Sequence, residues 1–447
     1  MSAPQHLLGI GGAGMSGIAR VLRGQGRDVS GCDRSPDAVE ALRAEGIEAY
    51  VGHDPAHLRP GMELIVSTAI AHDEPELVEA RRHGLRVRHR SEVLAEIVAS
   101  GDGICVAGAH GKTSTSALIA YVLEQCGEDP TFLIGGEVPQ LGANAHVGAG
   151  RYVIAEADES DGSLARLRPR ASVILNAELD HHDHFDSLDD LHALFGAWVA
   201  ELPPHGVLVL HESLDYATPA ALRRYGAGPG EGWRALGITP DGEGTRFVLA
   251  APGRDPLPLR LAVPGAHNAL NATAALALLD WAGIPPERAV EPLAAFRGAG
   301  RRYERRGEVA GIRLVDDYAH HPTELAATLA AARGEAPPGR LLACFQPHMP
   351  WRTRLFADEF ATALLRADAA CVCDVYVARG AADPEVTGEL IVDSARRQAP
   401  AFPIAWTPGY ADAAAWVVET ARPGDLVLTL GAGPVDSVLE LVREQLA

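Results

Sequence analysis

Gly103-Ile104-Cys105-Val106-Ala107-Gly108-Ala109-His110-Gly111-Lys112-Thr113 reads as an apolar strand, a glycine-rich turn and the first residues of a helix. Glycines at 108 and 111 allow backbone N–H groups to close around phosphate oxygens. The helix N-terminus adds partial positive charge at the same place. The Lys112 ammonium is a compact charge that reaches β- and γ-phosphates, and the Thr113 hydroxyl can ligate Mg²⁺. The full P-loop pattern places glycine at 106, where Val106 stands, so the motif is the shorter Gly-x-x-Gly-Lys-Thr. Of 39 lysines and arginines, Lys112 is the only lysine. The chain uses arginine for generic positive charge and keeps an ammonium where a guanidinium cannot substitute.

Outward from this loop the strand–helix alternation continues. Leu118, Ile119, Val122 and Leu123 share a helix face that Gly127 ends, and residues 152–156 and 172–176 read as further strands. Upstream, strands are expected over 6–10, 28–32, 64–68 and 85–88, with Ile18, Val21 and Leu22 at helical spacing before Gly24. Residues 226–264 are rich in Gly and Pro and suit hairpins, and 268–281 reads as an alanine-rich helix. Strands over 312–316, 341–345, 370–374 and 426–430 and a last helix over 435–446 complete the chain. The expected fold class is α/β in three domains. These are a Rossmann-like domain over 1–99, a central P-loop ATPase-type mononucleotide-binding domain over 100–298, and a dinucleotide-binding-like domain over 299–447.

A second phosphate loop opens the chain. Gly9, Gly11 and Gly14 fit Gly-x-Gly-x-x-Gly, and Asp33 ends the next strand, placed for a ribose hydroxyl. This motif suits the diphosphate of a nucleotide sugar as well as NAD. Four acids lie between Glu156 and Asp161 and repel one another unless cations balance them, which suits Mg²⁺. Asp180, His181, His182, Asp183 and His184 form a histidine and carboxylate cluster fit for a metal or acid–base site. His267, Asn268 and Asn271 offer groups for an adenine edge. Arg301 and Arg302 suit phosphate or carboxylate. Residues 316–322 and 345–348 follow strands of the third domain, where such sheets bind ligands.

Composition narrows the function. The formal net charge of −20, without a basic tract, disfavours nucleic-acid binding. No apolar run is long enough to span a bilayer. Six scattered cysteines form neither a disulfide framework nor a zinc signature, and Cys105, Cys344, Cys371 and Cys373 read as buried hydrophobes. Residues 1–8 lack the regions of a signal peptide, so a cytoplasmic location is expected.

Taken in order, these motifs resemble the Mur ligases, and within them the branch that adds L-alanine to UDP-N-acetylmuramate. The resemblance runs through the whole chain. It rests on Gly9–Ala19, Gly108–Thr113, Glu156–Ser163, Asn176 with Asp180 and His181, His267 with Asn268 and Asn271, Asp316–Glu324 and Phe345–His348. It implies an ATP- and Mg²⁺-dependent ligase that works through an acyl-phosphate, as a monomer or homodimer. It assigns ATP to Gly108, Ala109, His110, Gly111, Lys112, Thr113, Ser114, His267, Asn268 and Asn271. The UDP-sugar falls to Gly11, Gly12, Ala13, Gly14, Met15, Ser16, Asp33, Ser67, His181 and Arg302. Thr113 and Glu156 are implied to serve one Mg²⁺ and His181 a second. Lys112, Glu156, His181, Arg302 and His320 form the implied catalytic set. Later-acting siblings support the second metal with a carbamylated lysine. Lys112 belongs to the phosphate loop and leaves no lysine for that role, which favours the alanine-adding branch. Departures are Ala109 for threonine, Met349-Pro350-Trp351 after Gln346-Pro347-His348, and Pro434 for an acid. Pro350 fixes φ and removes a donor from a ligand-facing loop. The rival readings are a murein peptide ligase adding a preformed peptide to the same sugar nucleotide, an NAD-dependent oxidoreductase, and a silent nucleotide-binding regulator.

Overall fold

Short apolar runs separated by glycine-bearing turns produce three sheets rich in parallel pairs. The computed structural model describes residues 3–160, 162–180, 185–335, 339–378 and 380–446. Two compact units result. One comprises Met1–Leu236, Val248–Leu257 and Leu270–Phe296; the other comprises Gly237–Phe247, Pro258–Ala269 and Arg297–Ala447.

The first unit opens with β1 (Gln5–Leu8), β2 (Val29–Asp33), β3 (Glu48–Val51), β4 (Glu63–Val66) and β5 (Arg86–His89). They are parallel, in the order β3-β2-β1-β4-β5. The order reverses between β1 and β4, and the crevice at their carboxyl ends is where such sheets bind ligands. Helix Ala13–Gly24 buries Ile18, Val21 and Leu22, as their spacing predicts. Gly24 does more than end it: a Cβ there would lie 2.7 Å from Val147. Strand β3 escaped the sequence reading because only Ala49 in it is buried, the pattern of an edge strand.

The same unit carries β6 (Asp102–Ala107), β7 (Thr131–Val138), β8 (Ala143–His146), β9 (Tyr152–Glu156), β10 (Ala171–Ile174), β11 (Val207–His211) and β12 (Ala221–Ala227). Their order is β12-β11-β10-β6-β9-β7-β8. The antiparallel hairpin β7–β8 was not expected. It packs on helix Ala13–Gly24, where Gly17 leaves room for Ala145 and the Arg20 guanidinium donates to Asn144 Oδ1 at 2.7 Å.

Strands β13 (Trp233–Asp241), β14 (Gly244–Ala250) and β15 (Leu257–Leu261) follow. The predicted run of hairpins needs correcting at its start, because Tyr225–Ala227 pairs in parallel with Trp233–Ala235. The connecting loop winds around a guanidinium instead of reversing tightly. Arg234 Nε donates to Gly228 O at 2.8 Å and its Nη1 to Glu212 at 2.6 Å. Gly228 and Gly232 supply the left-handed backbone the loop needs, at φ 69° and 82°.

The second unit holds β16 (Glu304–Val309), β17 (Ile312–Asp317), β18 (Leu341–Phe345), β19 (Ala369–Val372), β20 (Ile404–Trp406) and β21 (Leu426–Leu430), in the order β16-β17-β21-β18-β19-β20. All pairs are parallel except the edge hairpin β16–β17. The last helix starts at Ser437, not 435, because Pro434–Asp436 form a 3₁₀ turn. Helix Ala266–Trp281 begins two residues before its predicted start. Cys105, Cys344, Cys371 and Cys373 are buried, and all six cysteines are free. No helix of the described residues is long and apolar enough to cross a membrane.

Candidate active site

Parallel register assembles the phosphate loop. β6 lies between β9 and β10, with Val106 opposite Glu156 and Ala107 opposite Ile174. The segments leaving the carboxyl ends of these strands therefore meet. Gly108 and Gly111 stand at φ 131° and 85°. A Cβ on Gly108 would lie 3.1 Å from the Asn176 backbone, and one on Gly111 3.0 Å from Asn271 Oδ1. The Asn176 side chain clamps the loop, accepting from His110 N at 2.9 Å and donating to His110 O at 3.0 Å. His110 Nε2 lies 3.0 Å from Glu178.

Lys112 and Thr113 are the first residues of helix Lys112–Gln125, whose N-cap is Gly111. The lysine folds back over its own loop. Its Nζ donates to Gly108 O at 2.7 Å and to both Glu159 oxygens at 2.9 Å. Desolvation works against its charge, but Glu159 and Asp158 outweigh it and hold the ammonium above its usual range. Thr113 Oγ1 donates to Glu156 Oε2 at 3.2 Å, while Glu156 Oε1 accepts from Gly135 N at 2.6 Å. A hydroxyl and a carboxylate side by side are hard oxygen donors of the kind Mg²⁺ takes together with phosphate and water. Ser114 follows in the first turn of the same helix. Glu159 and Asn176 received no role from the sequence. The first was one acid among four, and the partners of the second lie 66 residues away. His181, the cluster from His182 to His184, and Asp161 lie outside the described residues. Asp180 is described and buried.

The N-terminal loop sits at the β1–β4 crevice. Gly9 N and Ile10 N donate to Cys32 O at 2.8 and 3.0 Å. Asp33 braces the loop directly, accepting from Gly11 N at 2.8 Å and Ser35 N at 2.9 Å. Gly12 caps the helix that Ala13, Gly14, Met15 and Ser16 open, and Ser67 follows β4. A Cβ on Gly11 would come within 2.8 Å of both Ala38 Cβ and the Asp33 carboxyl. Gly11→Ala is therefore expected to cost about 1–3 kcal/mol of stability from overpacking, and, with the role the resemblance gives this loop, to raise the KM for the sugar nucleotide about tenfold or more. The KM for ATP should stay within twofold; steady-state kinetics with each substrate varied, alongside urea unfolding, checks this.

In the second unit β17, β21 and β18 are neighbours, so Asp316–His321, Gly431–Gly433 and Gln346–His348 share one edge. Arg301 donates to Asp316 at 2.8 Å and to Gly431 O at 2.9 Å. The guanidiniums of Arg301 and Arg302 lie 5.3 and 5.0 Å from the Tyr318 ring centre, a doubled cation–π contact. Arg302 is 3.7 Å from Glu324, whose carboxylate also accepts from His320 N at 3.0 Å. His320 lies edge-on to His348, with ring centres 5.5 Å apart. Burial pushes Asp317 up to about 6.

Two departures from the family pattern are absorbed by the fold. Pro350 is the first residue of helix Pro350–Leu355, where the missing N–H is harmless. The strain falls instead on Met349 at φ 64°, whose carbonyl caps Thr353 N at 3.0 Å. Past Pro434, Asp436 brings a carboxylate to 3.7 Å from Arg301.

Asn268 of this unit donates to Pro264 O at 2.7 Å. His267 lines a pocket with Ile238, Thr239, Pro264, Ala331 and Glu335. Desolvation of its half-buried ring lowers its pKa to about 4. The unfolded chain, at about 6.5, binds more protons than the folded one between these values, so this group's contribution to stability is lost as pH falls through that window. A His267→Gln variant should lose less stability between pH 7 and 4.5 than the wild type. Urea midpoints across that range measure the difference, and equal slopes would contradict it.

Three family models match the chain: the Mur ligase family catalytic domain over residues 4–101, the Mur ligase middle domain over 106–279, and the Mur ligase glutamate ligase domain over 301–433. The chain belongs to the Mur ligase family, whose members are ATP-dependent nucleotide-binding enzymes. It is 46% identical to the UDP-N-acetylmuramate–L-alanine ligase of Kineococcus radiotolerans, across 97% of this chain and 94% of that one. It is 44% identical to the enzyme of the same name from Acidothermus cellulolyticus, across 96% and 91%. Among solved structures it is similar to the UDP-N-acetylmuramate–alanine ligase of Thermotoga maritima, with 26% identity, a TM-score of 0.84 and 99% of both chains covered. A murein peptide ligase from Psychrobacter arcticus shares 25% identity with a TM-score of 0.74, covering 100% of this chain and 99% of that one.

Proposed function

We propose that this chain joins L-alanine to the lactyl carboxylate of UDP-N-acetylmuramate at the expense of ATP, in peptidoglycan precursor synthesis. The observation that carries the reading is the Lys112 ammonium, held 2.7 Å from Gly108 O at a loop that Asn176 and Asn271 border. The substrates come from the named relatives, at 46% identity over nearly the whole of both chains.

The lactyl carboxylate oxygen attacks the γ-phosphorus of ATP, and ADP leaves. Lys112 neutralises charge developing on the β- and γ-phosphoryl oxygens. Between turnovers Glu159, 2.9 Å from Lys112 Nζ, keeps the ammonium charged. The alanine amine then attacks the acyl carbon, phosphate leaves, and the amine proton passes to solvent. Thr113 and Glu156 would hold one Mg²⁺, which supplies charge neutralisation on the transferred phosphoryl group. His181 is assigned to a second Mg²⁺, and Arg302 and His320 to the acyl-phosphate and the incoming amine. Gly108–Ser114, His267, Asn268 and Asn271 are assigned to ATP. Gly11–Ser16, Asp33, Ser67, His181 and Arg302 are assigned to the UDP-sugar. The three domains are drawn at 1–99, 100–298 and 299–447. The enzyme is proposed to act in the cytoplasm as a monomer or homodimer.

The test is phosphate release with ATP, Mg²⁺ and UDP-N-acetylmuramate, with and without L-alanine. Release requiring both substrates, with a product heavier by one alanyl residue, is expected. A murein peptide ligase would release phosphate with a tripeptide and not with alanine. The better structural likeness, 0.84 against 0.74, favours alanine. An oxidoreductase would leave the Lys112 loop without a task.

A further inference from the structure

The first unit contains a second polar cluster, separate from both phosphate loops. His6 of β1, Cys32 of β2, His57 of the 3₁₀ turn Pro55–His57 and Glu76 of helix Pro75–Arg82 each turn one donor atom toward a common point. Those four atoms all lie within 4.8 Å of one another. His6, Cys32 and Glu76 are 0% exposed. His6 Nε2 is 2.8 Å from Glu76 Oε1, Cys32 Sγ 3.2 Å from Glu76 Oε2, and His57 Nδ1 3.5 Å from Glu76 Oε2.

The Glu76 carboxylate stands at the centre of the group, with an imidazole, a thiol and a second imidazole turned toward it. Cys32 Sγ also lies 3.0 Å from His53 Nδ1. Buried charge of this kind needs close pairing, by a proton or by a cation. Outer contacts hold the ligands in place. Ser30 Oγ lies 2.8 Å from His6 Nδ1, which leaves Nε2 as the ligating nitrogen. Asp54 N donates to Glu76 Oε2 at 3.1 Å, and the Tyr50 ring stacks on His57 at 4.3 Å between centres. Such neighbours orient metal ligands.

We infer that His6, Cys32, His57 and Glu76 form a closed, four-ligand site for Zn²⁺. Metal–ligand distances of about 2.0–2.3 Å in a tetrahedron separate ligand atoms by about 3.3–3.7 Å, so side-chain shifts of up to about 1 Å complete the site. One sulfur, two imidazole nitrogens and one carboxylate suit Zn²⁺ and exclude Mg²⁺ and Ca²⁺, which take oxygen. On binding, the Cys32 thiol forms a sulfur–zinc bond and releases its proton to solvent. With all four positions taken by protein, the role is structural. The ion ties β1, β2, the turn and the helix together beside the Gly9 loop, whose backbone hangs from Cys32 O.

The test uses the full chain, stripped by chelator and titrated with Co²⁺ as a spectroscopic probe. Expected are tetrahedral d–d absorption and a sulfur-to-cobalt charge-transfer band, saturating at one ion per chain. A Zn²⁺-loaded sample should melt several degrees above the stripped one. Cys32→Ser should remove the charge-transfer band, and Cys105→Ser should keep it. His57→Ala, at the least buried ligand, should weaken Co²⁺ binding at least tenfold with an unchanged circular dichroism spectrum. Absence of the band in folded wild type, or its persistence in Cys32→Ser, would overturn the proposal. ATP-site metals give no sulfur band, so the outcome is independent of the ligase reading.

Discussion

Lys112→Arg should lower kcat about 10²–10³-fold, equivalent to about 3–4 kcal/mol of transition-state stabilisation, with the melting temperature little changed. The ammonium is enclosed by Gly108 O and the two Glu159 oxygens, with the side chain 15% exposed. Three rotatable donors on a point charge fit that enclosure. A guanidinium carries its charge on a planar fork and cannot place a single nitrogen there without moving Glu159 or the loop. Positive charge is retained, so the loss reports geometry and not electrostatics alone. Phosphate-release kinetics measure it. Turnover within threefold of wild type would remove Lys112 from the phosphates. The 38 arginines elsewhere make the comparison apt, since this chain substitutes arginine freely at other basic positions.

Glu156→Gln should raise the Mg²⁺ concentration needed for half-maximal activity by about 10–100-fold or more, since loss of even a hydrogen-bonding partner of a metal ligand costs that much. The amide keeps an oxygen to accept from Gly135 N, so the local fold survives while the anionic ligand is lost. Activity should recover in part at high Mg²⁺, whereas the Lys112→Arg defect should not. An unchanged Mg²⁺ dependence would exclude Glu156 from the metal site. Thr113→Ala should shift the same curve by less, because Mg²⁺ exchanges a neutral hydroxyl for water at small cost.

Much of this molecule is legible in local patterns. The strands 152–156, 341–345 and 426–430 were read to the residue, since buried parallel strands are short apolar runs between turns. Gly108–Thr113 and Gly9–Gly14 announce phosphate loops because glycine spacing and a lysine are local facts. In sequence Pro350 reads as a disruption of a ligand-facing loop and Pro434 as the loss of an acid. Both instead occupy first turns of helical segments, a distinction that depends on where the chain bends next.

The sequence by itself determined the α/β class, the two phosphate loops, the singular lysine and the family resemblance. Each is written in contiguous residues or in composition. Only the tertiary structure decided that Asn176 clamps His110, that Glu159 holds Lys112, that Asp33 braces Gly11, and that β12 and β13 run parallel. It alone joined His6, Cys32, His57 and Glu76. Those contacts span tens of residues and depend on strand order and register. A parallel sheet sets both through crossover connections that bring distant carboxyl ends together, and no local periodicity encodes which strands become neighbours.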